Sequence, residues 1–187
     1  MNGPVAPPSG GAASRHWRGL ERGLVVVSIS AMLAMWIYAF FLAPREPINA
    51  VGDRAWATRA ELRCAVEVTR RSALADFTSI EDAGPDALIQ RADLVDAATD
   101  GLETMIDDLE RTPPTDPKGA GIVPLWIADW RLHIADRRAY TATLRDGNNQ
   151  PFAETTTDEG LPLSEKIATF AQDNRMPSCR PPRDLSV

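Results

Sequence analysis

Residues 85–109, PDALIQRADLVDAATDGLETMIDDL, decide the fold class. Leu88, Ala92, Val95, Thr99, Leu102, Ile106 and Leu109 recur at steps of 4-3-4-3-4-3, which lines them up on one stripe of an α-helix. Pro85 suits the first turn of such a helix. A stripe this regular needs other helices to pack against, and the flanking sequence supplies them. Before it, a helix from about Asp53 to Ile80 is expected to bury Leu62, Val66, Thr69, Ala73, Phe77 and Ile80, ending at Glu81-Asp82-Ala83-Gly84-Pro85. After it, Thr112–Gly121 (TPPTDPKGAG) reads as a loop that joins two helices without continuing either. A third helix is expected from about Pro124 to Asp146, stopped by Gly147-Asn148-Asn149. Its first half, with Leu125, Trp126, Ile127, Trp130, Leu132 and Ile134, is apolar on nearly all sides and predicts a central position. Residues 148–161 read as an extended polar connection, and a last helix from about Pro162 to Asn174 sets Leu163, Ile167 and Phe170 on one stripe before Pro177. No run of alternating strand residues appears, so residues 53–187 are expected to form an all-α bundle of about four helices.

Upstream lies a segment of another kind. Residues 24–43, LVVVSISAMLAMWIYAFFLA, carry no charge, and twenty helical residues span a hydrocarbon core of roughly 30 Å. A cleaved signal peptide is the competing reading. Against it stand the length of the apolar run, the 23 residues before it, and Phe41-Leu42-Ala43-Pro44, which lacks a small-x-small cleavage pattern. An uncleaved anchor through the lipid bilayer is therefore expected. Residues 1–23 form a Pro/Gly-rich tail that becomes basic, and 44–52 a Pro-containing linker. Arg15, Arg18 and Arg22 precede the span, whereas Arg45 is offset by Glu46, which places the N-terminus in the cytoplasm. Arg54, Arg59 and Arg63 further out weaken that asymmetry.

The chain has 187 residues and a net charge of −6, with a pI near 5.0. Three of its 20 basic and one of its 26 acidic side chains precede residue 44, leaving −8 beyond the span. That balance excludes a broad nucleic-acid-binding surface. Cys64 and Cys179, 115 residues apart, both follow the span. On an extracytoplasmic side they are expected to pair in a disulfide; the alternative is two buried thiols.

Candidate chemistry is sparse. Asp129, His133 and Asp136 fall at i, i+4 and i+7 and could face a metal, or His133 could be a structural residue held between acids and Arg137. No Ser, Cys or Lys stands in a recognisable nucleophile motif, and no cofactor motif is present. Trp126, Trp130, His133, Arg137, Tyr140 and Leu144 make a stripe with steps of 4-3-4-3-4. Exposed, it would be an interaction surface rich in anchor residues; packed, it would be a seam with polar ends at the rim. On the preceding helix Asp93, Asp96, Asp100, Glu103, Asp107 and Glu110 form an acidic ridge. Such a ridge either gathers cations or a basic partner, or simply faces water.

The ordering of tail, anchor and helical domain, the Arg-over-Lys bias (18 against 2), Trp126-x-x-x-Trp130 running into Asp136-Arg137-Arg138-x-x-Tyr140, and the closing Phe170-Ala171-x-x-Asn174-x-Met176-Pro177-x-Cys179 resemble single-pass membrane proteins of GC-rich actinobacteria. That resemblance covers nearly the whole chain and implies a small helical extracytoplasmic domain but no activity. Actinobacterial lipid-importer accessory proteins are similar in size and anchor, but their α+β outer domain would need strands. The expectation is a non-enzymatic, membrane-anchored module that binds or scaffolds an envelope protein. The alternatives are a helical domain holding a ligand or metal near Trp126, Trp130 and His133, and a secreted domain released by signal cleavage.

Overall fold

A computed structural model of the chain describes residues 13–42, 47–74, 86–183 and 185, with side chains from residue 23 onward. The chain divides into two units, Met1–Glu46 and Pro47–Val187. Among the described residues there are five α-helices and no strand; the nearest approach to a sheet is a single bridge between Thr156 and Pro162.

In the first unit, α1 (Ala13–Ile37) runs into a π-helical turn, Tyr38–Leu42. Gly23–Leu42 has a mean hydropathy of 2.2, and none of it is buried by protein, so this helix is long and apolar enough to cross a membrane. A helix satisfies its backbone donors and acceptors internally, which an apolar surrounding demands. Ala43, the linker residues Pro44, Arg45 and Glu46, and the Arg15, Arg18 and Arg22 side chains that set the expected orientation lie outside what is described.

The second unit carries α2 (Arg54–Ser72), α3 (Ala87–Arg111), α4 (Pro117–Arg145), α5 (Leu163–Asp173) and a 3-10 turn, Pro177–Cys179. On α3 the expected stripe is inside: Ala92, Val95, Thr99, Leu102, Ile106 and Leu109 are buried and Leu88 is half-buried. Helix α4 lies along α3, α2 crosses α3, and α5 packs on α4. The main core joins Trp56, Leu102, Ile106, Trp126, Trp130, Ile167 and Met176, and a smaller cluster joins Ala92, Val95, Tyr140, Leu144 and Leu185.

Helix α2 turns the other way from its sequence expectation. Leu62 is 64% exposed and Val66 61%, while Trp56, Ala57, Ala60, Cys64 and Glu67 face inward. Small residues let α2 come close to α3. Glu67 then tucks beside Arg70 and Arg71, and Arg70 Nη2 donates to the Ala97 carbonyl at 2.6 Å. The expected continuation through Phe77 and Ile80, and the start at Pro85, lie outside the described residues.

Helix α4 starts seven residues earlier than the position of Pro124 suggests. Asp116 accepts the Gly119 N–H at 2.8 Å and Pro117 occupies the first turn, a stronger start than Pro124 offers. Pro124 sits inside the helix with its ring exposed. Leu125 and Leu132 are also exposed, so the helix is one-sided rather than apolar all round.

Part of the expected linker is packed: Ala50 and Val51 are buried, and Val51 N–H donates to Asn174 Oδ1 at 2.7 Å. At the end of α5, Arg175 takes φ +59° and the Met176 N–H returns to the Ala171 carbonyl at 2.8 Å. That reversal carries Cys179 back to α2, at disulfide distance from Cys64 with Cα atoms 5.1 Å apart. Ser178 reinforces the join by donating its N–H and hydroxyl to Glu61 at 3.0 and 2.6 Å.

Candidate functional site

The α4 stripe is inside the molecule. Trp126, Trp130, His133, Arg137, Tyr140 and Leu144 are all buried, so of the two readings of the stripe the structure has the packed seam, and Trp126, Trp130, His133, Arg137 and Tyr140 do not form an outward interaction stripe. Its aromatic half packs by rings: Trp126 stacks on Phe170 at 4.9 Å, Trp130 meets Trp126 edge-on at 6.3 Å, and His133 meets Trp130 and Phe152 edge-on. Its polar half is taken up by neighbours. Arg137 Nε donates to Thr99 Oγ1 at 2.9 Å, and the Tyr140 hydroxyl accepts from Arg91 at 3.3 Å. The tips that suggest an interface in the sequence serve packed contacts with α3.

The residues that could have formed a metal face around His133 are dispersed. Asp129 accepts from Lys166 of α5 at 2.9 Å, while Asp136 accepts the Thr155 N–H and hydroxyl at 2.7 and 3.0 Å. Among the described residues no three His, Cys, Asp or Glu side chains come together as a metal site.

His133 does reach the floor of an open groove of about 490 Å³ between α5, the 146–162 connection and the C-terminal segment. Phe152, Glu154, Ser164, Arg180 and Arg183 contribute to it. Ser164 donates its hydroxyl to Glu154 Oε1 at 2.7 Å and its N–H to Oε2, and His133 Nδ1 lies 3.7 Å from Oε2. The carboxylate therefore stands between hydroxyl and imidazole. That order differs from a Ser-His-acid triad, in which the imidazole occupies the middle place and takes the hydroxyl proton.

The acidic ridge of α3 faces water but is paired along its length with arginines of α4. Arg131, Arg138 and Arg145 of α4, seven residues apart, reach Asp107, Asp100 and Asp93 of α3, also seven apart, in the reverse order that antiparallel neighbours require. Glu110, Glu103 and Asp96 complete the ladder, with Arg145 bridging both Asp93 and Asp96. Burial pulls the Asp96 carboxyl upward, but the Arg138 and Arg145 guanidiniums and the Thr141 hydroxyl outweigh it and hold the group below its ordinary value. Arg138 is pushed above the usual arginine range by Asp100 and Asp96 in spite of its burial, and Arg131 rises beside Asp107 and Glu110. The acids are legible in sequence by their spacing. The arginines carry the same signal, a seven-residue step on the next helix, visible only when two helices are read against each other.

No protein-family model, curated protein or solved structure matches this chain.

Proposed function

We propose that the chain is a membrane-anchored, extracytoplasmic interaction or scaffold module of the cell envelope, non-enzymatic, in which α2–α5 act as a four-helix bundle held at the bilayer by residues 24–43. The observation that carries this reading is the uncharged helix Gly23–Leu42, attached to a unit many of whose ionisable groups serve internal ladders, caps and loop ties. Glu154 between Ser164 and His133 supports a non-catalytic role. The basic residues before the span favour a cytoplasmic N-terminus, and the cysteine pair suits an oxidising compartment. This organisation agrees with the resemblance to actinobacterial single-pass proteins.

Protease added to intact cells tests the topology: the domain beyond residue 47 is expected to be trimmed, and protection until lysis overturns the reading. A mature N-terminus after residue 43 would instead identify a cleaved, secreted domain. Crosslinking in native membranes with the full chain is expected to recover a reproducible envelope protein, and reproducible failure removes the scaffold role.

A second reading, a bundle that holds a small ligand or metal, is favoured by one feature. The Trp130 indole N–H is buried without a hydrogen-bond acceptor among the described residues, next to His133 and the groove it floors. Tryptophan quenching by an added ligand, or metal retained through purification, would support it.

A further inference from the structure

Where α2 passes the C-terminal end of α3, a cavity of about 310 Å³ is lined by Trp56, Arg59, Arg63, Asp108, Arg111 and Thr112. Three guanidiniums share the space with one carboxylate. Asp108 accepts Arg63 Nε at 2.5 Å and also pairs with Arg111. The Arg63 guanidinium chiefly holds it below the ordinary carboxylate range against the opposing effect of burial. Its single negative charge is thus divided between two cations, and although Asp53, outside the lining, also acts on Arg59, the cavity wall itself keeps a positive excess on a domain whose net charge is −8. The wall is firm: Trp56 is buried and its indole N–H donates to the Thr112 carbonyl at 2.8 Å. Guanidinium forks match the oxygens of a phosphate group, and several of them around one cavity select a compact, multiply charged anion over chloride.

The same helix supplies an apolar neighbour. Leu62 and Val66, exposed like Val68 and outside the lining of the cavity, follow Arg59 and Arg63 by three residues and so stand beside those guanidiniums on the helix surface. A cationic cavity with exposed aliphatic side chains on the adjoining helix surface suits a ligand with an anionic head and an apolar body.

We propose that the Arg59, Arg63 and Arg111 cavity binds a phosphate-bearing anion, and that its source is an anionic phospholipid whose acyl chain lies over Leu62 and Val66. The anion site stands on the geometry of α2 and α3; the lipid source rests on the membrane-anchored reading above.

The test uses the full chain in neutral detergent micelles, melted by circular dichroism with inorganic phosphate against chloride at equal ionic strength. Short-chain phosphatidylglycerol is then compared with the phosphatidylcholine of the same chain length. Phosphate at roughly tenfold its Kd is expected to raise Tm by about 3 °C, and phosphatidylglycerol by more. Both increments should vanish in Arg59→Gln and in Arg111→Gln, each compared with its own ligand-free melt, and persist in Arg180→Gln, which lies outside the cavity. A rise with phosphate that phosphatidylglycerol does not exceed supports the anion site and overturns the lipid as its source. A rise with phosphatidylcholine equal to that with phosphatidylglycerol likewise overturns the anionic lipid as the source, and no rise with phosphate, or a rise that survives Arg59→Gln, overturns the site. None of these readings depends on which side of a membrane the domain occupies, so they separate cleanly from the protease experiment on the anchor.

Discussion

Asp53 and Asp116 cap different helices, and each carboxylate also holds the backbone around the other. Asp53 accepts the Trp56 N–H at 2.8 Å to start α2, and with its second oxygen takes the Thr115 N–H and hydroxyl at 3.1 and 2.9 Å. Asp116 accepts the Gly119 N–H to start α4 and the N–H groups of Gly52 and Asp53 at 3.1 and 2.9 Å. Two N-termini that would each leave backbone donors unsatisfied are thereby locked to one another.

The first prediction concerns acid. Hydrogen bonds from the Trp56 and Gly119 backbone are the leading causes that hold the Asp53 and Asp116 carboxyls below their ordinary value. A carboxyl lowered in the folded state contributes stability that is complete above the unfolded-chain value near about 4, and that is lost as pH falls through the folded value. Thermal melts should therefore be flat from about pH 7 to 5 and fall below about pH 4. The Asp53→Asn, Asp116→Asn double variant should melt several degrees lower at neutral pH and show a shallower acid limb. An acid limb identical to that of the parent would contradict the role given to this pair.

A second prediction contrasts two glycines in helices. A Cβ on Gly101 of α3 would lie 2.0 Å from Arg70 Nη2 and 2.2 Å from Oε1 of the buried Glu67, at the crossing of α2 and α3. A Cβ on Gly121 of α4 meets nothing within 4 Å. Gly121→Ala should stabilise by up to about 1 kcal/mol through helix propensity alone. Gly101→Ala gains the same propensity but must displace a paired carboxylate from the seam, and should cost about 1 to 3 kcal/mol net by urea unfolding. Stabilisation of both variants would mean that the α2–α3 crossing is looser than its contacts imply.

The α3 stripe is legible in the sequence because burial there is apolar and local, so a single helical period records it. The same logic misplaces α2, since Leu62 and Val66 satisfy the period while the buried positions are Trp56, Ala57, Ala60, Cys64 and Glu67, of which only Trp56 is large and apolar. Helix α4 is misjudged at its start because Pro124 and Pro117 are equally good first-turn residues; Asp116 decides between them through a side chain that also serves α2, a contact 63 positions away in sequence. The polar features follow the same rule. The acids of the ladder are visible one helix at a time, whereas their pairing with Arg131, Arg138 and Arg145 needs the antiparallel register. The arginine cavity likewise exists only where α2 meets the end of α3.

The third prediction concerns that ladder. Arg138 is its hub, reaching Asp96 at 2.9 Å, Asp100, and Glu103 at 3.3 Å, with about a third of its side chain exposed. Exposed pairs contribute little singly, but removing a shared cation leaves three carboxylates crowded along one face. Arg138→Met should cost about 1 to 2 kcal/mol, well above the few tenths expected for an isolated surface pair. Melting of the parent should also fall as NaCl is raised from about 0.1 to 1 M, with a weaker dependence in Arg138→Met. A salt-independent parent would mean that the ladder sets register without adding stability.

The last prediction joins the chemistry of the domain to its location. Cys64 on α2 and Cys179 on the turn after α5 lie 115 residues apart and meet with no other cysteine in the chain to compete. Closing a loop of that length restricts the unfolded chain, and the entropy model assigns it about 4 to 5 kcal/mol. Cys64→Ala and Cys179→Ala should therefore each lower Tm by well over ten degrees, with little further loss in the double variant, because either change removes the same crosslink. Parent protein should migrate faster on non-reducing than on reducing gels, and neither variant should show the shift. In cells, a maleimide added before lysis and reduction should leave the parent unlabelled, as a bonded pair in an oxidising compartment requires. Full labelling of both thiols, with equal gel mobility and an unchanged Tm on reduction, would remove the crosslink and with it the chemical argument for an extracytoplasmic domain.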